Sequence, residues 1–174
     1  FFSKSVFFIS AYFWNTSSTT LFSRNTMSKF TDYFRAEEWV CPDVFKRFGE
    51  RSLDFIDYRV KETALVIREK TGLPMYINNW VWGGNKTQRG LRCNLCQIVK
   101  DKTADEVVYL SGHPLGKAWD FTVKGMTAQE VRDWLKTNQI LLPYPIRVES
   151  DVTWVHIDVL EYGQSGNKIT YFKG

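Results

Sequence analysis

The chain has two histidines, and each sits in a setting that suits a metal ligand. His113 lies in the run Ser111-Gly-His-Pro-Leu-Gly-Lys-Ala-Trp-Asp120, and His156 lies in Trp154-Val-His-Ile-Asp158. Neutral imidazole and carboxylate both bind zinc well, and two His with one Asp leave a fourth position open, as a catalytic ion requires. His113, Asp120 and His156 are therefore the candidate metal set. Gly116 supplies a turn that lets His113 and Asp120 converge. If residues 154–159 form a strand, Val155, Ile157 and Val159 face the core, while Trp154, His156 and Asp158 share the other face. The same donors also suit manganese, iron or cobalt; zinc (Zn2+) is the expectation.

The string S-G-H-P-L-G-K-A-W-D, followed about thirty-five residues later by W-V-H-I-D, resembles the signature S-x-H-x-x-G-x-A-x-D … H of the zinc D-Ala-D-Ala carboxypeptidase family. That superfamily includes VanX- and VanY-type peptidases, phage L-alanyl-D-glutamate endolysins and the hedgehog signalling domain. Ser111, His113, Gly116, Ala118, Asp120 and His156 all match. The upstream stretch N-N-W-V-W-G-G … Q-R-G-L-R is similar to phage-type members. The resemblance covers residues 27–174. It implies a hydrolase, a zinc metallopeptidase acting on D-amino-acid-containing peptides of bacterial peptidoglycan. Either a D,D-carboxypeptidase or an L-Ala-D-Glu-type endopeptidase fits. It also implies that Arg92 polarises the scissile carbonyl or holds a substrate carboxylate, a task a planar guanidinium suits. Arg89 is the competing choice.

The general base departs from the pattern. Several family members place a glutamate three residues before the last histidine, where this chain has Thr153. Glu149, seven residues before His156, is similar to the hedgehog-type spacing, with Asp151 as the alternative. A hairpin turning at Ser150-Asp151 puts Glu149 and His156 on one face. The missing carboxylate at 153 keeps a second reading open, a catalytically inactive zinc-stabilised module that binds cell wall or serves as a phage structural part.

Distant residues need a frame to bring them together. Ser52 to Thr71 predicts a helix, with Leu53, Ile56, Val60, Ala64 and Ile67 at spacings of three and four along one face. Gly72 ends it and Pro74 blocks continuation. Pro42 marks another helix start after Cys41. Met75 to Val81 and Val107 to Leu110 predict strands, the first broken at Gly83-Gly84. Thr127 and Glu130 form a capping box for a helix that buries Val131, Trp134 and Leu135. Ile146 to Val159 predicts one or two strands. This irregular mixture predicts an α+β fold. With the resemblance, the expectation is a single compact hedgehog/DD-peptidase-like domain. Its small antiparallel sheet carries the metal ligands between flanking helices.

At 174 residues the chain suits one domain. Its net charge of +4 comes without any run of five basic residues, which argues against a nucleic-acid partner. No apolar stretch is long enough to span a membrane. The expected partner is a peptidoglycan peptide met by a monomer at the cell wall, the protein being either released as a phage-type lysin or exported. Residues 1–26, apolar and then rich in Ser, Thr and Asn, are expected to be a poorly structured lead or upstream extension, with the peptidase domain over 27–174. Cys93 and Cys96 form a lone CxxC. With Cys41 they are too few for a disulfide framework, and short of the four ligands zinc usually takes. A redox role or accidental spacing is the expectation. Trp80, Trp82 and Trp119 are expected in the core rather than along a groove.

Overall fold

In a computed structural model the described residues are 29–104, 108–160 and 167–174. The lead expected over 1–26 lies outside them. Alternation sets the architecture. In β3 (Ile146–Glu149) and β4 (Val155–Asp158), Ile146, Val148, Val155 and Ile157 are buried, while Arg147, Glu149 and His156 are half-buried on the opposite face. With β1 (Met75–Tyr76), β2 (Ala118–Val123) and β5 (Ile169–Phe172) these strands form one sheet in the order β1-β2-β4-β3-β5. One face belongs to the core and the other to the site.

Helices flank the sheet: α1 (Ala36–Trp39), α2 (Pro42–Phe48), α3 (Tyr58–Thr71), α4 (Gln97–Thr103) and α5 (Ala128–Thr137). Trp39 and Trp119 meet at the centre with ring centroids 6.1 Å apart, and Trp119 stacks on Phe121 at 5.9 Å. All three are fully buried, and burying one such aromatic contributes about 2–3 kcal/mol. Trp119 is thus core, as expected. α5 begins at its capping box, where Thr127 Oγ1 accepts from the Glu130 N–H and the Glu130 carboxylate accepts from the Thr127 N–H. α3 ends at Gly72, which adopts φ 67°.

Four expectations are corrected. The helix expected over Ser52 to Thr71 is two elements, a 3-10 helix (Gly49–Phe55) and α3, because Ile56 is extended and Asp57 caps the α3 N-terminus. The strand expected over Met75 to Val81 stops at Tyr76. Asn78 and Asn79 then turn the chain by bonding to backbone at Val40, Arg89 and Lys86. Of the strand expected over Val107 to Leu110, Val107 lies outside the described residues and 108–110 form no strand. The sheet is mixed rather than antiparallel, because β3 and β5 pair in parallel.

Candidate metal centre

Asp120 and His156 are direct cross-strand partners in the β2–β4 pair, so their side chains leave the sheet together. His113 comes from the turn leading into β2. That turn closes through bonds from Gly116 N to His113 O (3.1 Å) and from Lys117 N to Gly112 O (2.7 Å). Gly116 is required here. Its φ is +66°, and a Cβ would lie 2.0 Å from the Phe55 carbonyl oxygen.

Three donor atoms converge. His156 Nδ1 lies 2.7 Å from Asp120 Oδ1, His113 Nε2 lies 3.4 Å from the same oxygen, and the two ring nitrogens are 3.3 Å apart. Ligands held at about 2.0–2.1 Å on a tetrahedral ion stand about 3.3 Å from one another. The donor set therefore fits a divalent metal ion in both chemistry and spacing.

The far side of each ligand is held. His113 Nδ1 lies 2.8 Å from the Gly90 carbonyl. A carbonyl only accepts, so His113 carries its proton on Nδ1 and turns the Nε2 lone pair into the site. Burial pushes the His113 pKa down despite Asp120, which keeps the ring neutral. Asp120 Oδ2 accepts from Arg92 Nη2 at 2.9 Å, leaving Oδ1 for the site. His156 Nε2 lies 3.5 Å from Asp158 Oδ2, and Asp158 is gripped by Arg147 through bonds of 2.8 and 2.7 Å. A carboxylate behind an imidazole is the support that metal-bound histidines commonly use. Burial opposes charging of His156, but Asp120 and Asp158 outweigh it and push its pKa up to about 9. Burial likewise opposes ionisation of Asp120, yet its histidine partners hold it well below the usual carboxylate range. A metal ion competes with a proton for the His156 lone pair.

The centre forms one wall of an open cleft of about 630 Å³, also lined by Glu149, Trp154 and Phe172. Glu149 ends β3 one position beyond the Val148–Ile157 pair, which sets it across from His156. Asp151, the other candidate base, sits at the exposed tip with φ 62° and pairs with Lys173 at 2.9 Å. It does not line the cleft. Arg92 does line it, but spends its Nε on the Gln88 carbonyl and its Nη2 on Asp120. In this arrangement it orients a ligand. The Arg89 carbonyl accepts from the Asp120 N–H at 2.7 Å, and its side chain lines a neighbouring hollow.

Other residues complete the site. Arg147 lies in register opposite Asp158, which makes it that residue's partner. Arg132 of α5 is buried and donates to the carbonyls of Glu149, Val152 and Trp154, fixing the turn between β3 and β4. A cation amid an apolar helical face was the available signal. Trp154 is the tryptophan that lines the cleft, whereas Trp80, expected in the core, is half-buried against backbone and Trp82, also expected there, is exposed elsewhere. No protein-family model, curated protein or solved structure matches this chain.

Proposed function

We propose that this domain is a zinc-dependent peptidase of the D-Ala-D-Ala carboxypeptidase superfamily, hydrolysing peptide bonds in bacterial peptidoglycan. One observation carries the reading: two imidazoles and a carboxylate converge on the wall of an open cleft, each anchored from behind. A closed structural site would have no such access. His113, Asp120 and His156 would hold the ion. When bound, zinc supplies Lewis acidity and lowers the pKa of a water toward about 7. Glu149 takes the proton of the attacking water and delivers it to the leaving amine as the C–N bond breaks. Gly90, Arg92 and Asp158 position the three ligands, and Trp154 and Phe172 give the substrate apolar walls.

The groove supports an internal cut rather than removal of a terminal residue. A second hollow of about 290 Å³ shares Arg92, Ile98, Asp120 and Trp154 with the cleft, and its lining includes Lys86 and Arg89. A substrate chain crossing between the two hollows would extend on both sides of the metal centre. The basic residues suit a peptide that carries free carboxylates.

Digestion of purified peptidoglycan sacculi with and without a chelator, read by mass spectrometry, tests the proposal. Chelator-sensitive release with cleavage at an internal bond is the expected result. Failure to release fragments from a protein that holds its zinc would overturn the enzymatic reading. The outcome would then favour the second one, a zinc-stabilised module that binds wall without cutting. One observation speaks for that alternative: Thr153, where several family members carry a glutamate, is exposed in the turn and lines neither hollow.

A further inference from the structure

Three cysteines from two separate parts of the chain meet beside the loop that carries Gly90 and Arg92. Cys41 lies just before α2, while Cys93 and Cys96 lead into α4. Cys41 Sγ and Cys93 Sγ are 3.5 Å apart, and all three sulfurs lie within 4.8 Å of one another. All three are free thiols. Thiolates bound to a tetrahedral zinc at about 2.3 Å stand about 3.8 Å apart, a spacing bracketed by the 3.5 Å pair and the 4.8 Å limit of this cluster. A backbone amide also points at one of the sulfurs. Leu95 N–H donates to Cys93 Sγ at 3.4 Å. Amide donors of this kind stabilise thiolate over thiol and support sulfur as a ligand.

We propose that Cys41, Cys93 and Cys96 form a second metal site, a three-thiolate centre that takes a zinc ion. Cys41 and Cys96 are buried and Cys93 is half-buried, so a fourth ligand from solvent reaches the ion on the Cys93 side. Soft sulfur donors select zinc over magnesium, calcium or manganese. The reading does not depend on the peptidase proposal, since it uses none of the same ligands.

Its place in the fold suggests what it does. Leu91 is held to the core by backbone bonds, from its own N–H to Trp39 O at 2.8 Å and from Cys41 N to its carbonyl at 3.0 Å. The neighbouring Gly90 and Arg92 anchor His113 and Asp120. A zinc ion joining Cys41 to Cys93 and Cys96 cross-links that irregular loop to the segment it rests on. The thiolate centre thereby positions the ligands of the first centre.

Zinc content and cobalt spectra of the full chain, purified under reductant, test the assignment. Wild type is expected to bind two zinc ions per chain, and His113→Ala or Cys93→Ser one each. Cobalt-loaded His113→Ala should keep the near-ultraviolet thiolate-to-cobalt charge-transfer band, and Cys93→Ser should lose it. Zinc should also shield all three thiols of the wild-type protein from a thiol reagent, a readout that needs no variant to fold. A single zinc per chain that His113→Ala removes, with no charge-transfer band, would sink the proposal. So would equal thiol reactivity with and without zinc, or a disulfide between any two of the three.

Discussion

Asp158→Asn probes the support behind the metal centre most directly. Asp158 is almost wholly buried and touches no metal donor position itself; it acts through His156 Nε2, 3.5 Å away. Its two oxygens also accept from Arg147 Nε and Nη2 and from the Leu160 N–H. An asparagine has one acceptor oxygen and two N–H donors. Whichever way the amide turns, a donor of Arg147 or His156 faces another donor. Loss of such a partner costs metal affinity 10- to 100-fold in comparable sites. The 3.5 Å separation exceeds an ordinary N–H···O bond, so the lower end applies, about tenfold or 1.4 kcal/mol. Competition for zinc against a chromophoric chelator measures this, with a thermal melt to confirm that the variant is folded. Unchanged affinity in a folded variant would refute the idea that Asp158 tunes the site. Complete loss of binding would show it to be a ligand in its own right.

Glu149→Gln should keep zinc but lose turnover by about 10²- to 10⁴-fold, as expected for a general base; retention of activity would return the role to another group. Gly116→Ala should destabilise the fold by about 1–3 kcal/mol or more and lower metal occupancy, read by denaturant melts and zinc content. Its φ of +66° and a Cβ 2.0 Å from Phe55 O leave no room to adapt. Asp57→Asn keeps an acceptor for the N-cap but removes the charge that pairs with Arg59, and turns an NH2 toward Arg59 Nη2, 2.9 Å from the oxygen it replaces. Burial would raise the Asp57 carboxyl, but Arg59 outweighs it and holds the pKa below 3.8. A lowered carboxylate pKa gives stability that is present above the unfolded value and lost as pH falls through the folded one. The variant should therefore trail wild type by about 0.5–1 kcal/mol at pH 7, and the gap should close in acid; a gap that persists there would assign the cost to packing.

The donor set was legible because chemistry restricts which residues bind metal. His113, Asp120 and His156 stand out by type, and alternation already put His156 and Asp158 on one face. The Thr127 cap and the Gly72 stop were legible for the same reason, since each satisfies a local backbone need. Local patterns failed where one residue breaks the rhythm. Leu53 and Ile56 are buried as an α-helix face would have them, yet Ile56 is extended and the helix starts only after Asp57. Support from a backbone atom leaves no trace in a sequence, which is why the Gly90 carbonyl behind His113 was invisible. Arg147 depended on the β3–β4 register and Cys41 on a contact across 52 positions. Only the folded chain supplies such facts.

The pairing of Asp120 with His156 fixes when an ion can be captured. A chain still searching for its β2–β4 register owns all three donors but has no site, because strand pairing alone joins residues this far apart. An ion bound there stabilises the native state and leaves the unfolded chain nearly untouched. Such an ion would therefore act as a latch, slowing escape from the native state more than it speeds arrival. A metallochromic dye present during refolding would consequently report the moment the centre of the sheet closes, making the metal centre a clock for one long-range step of folding.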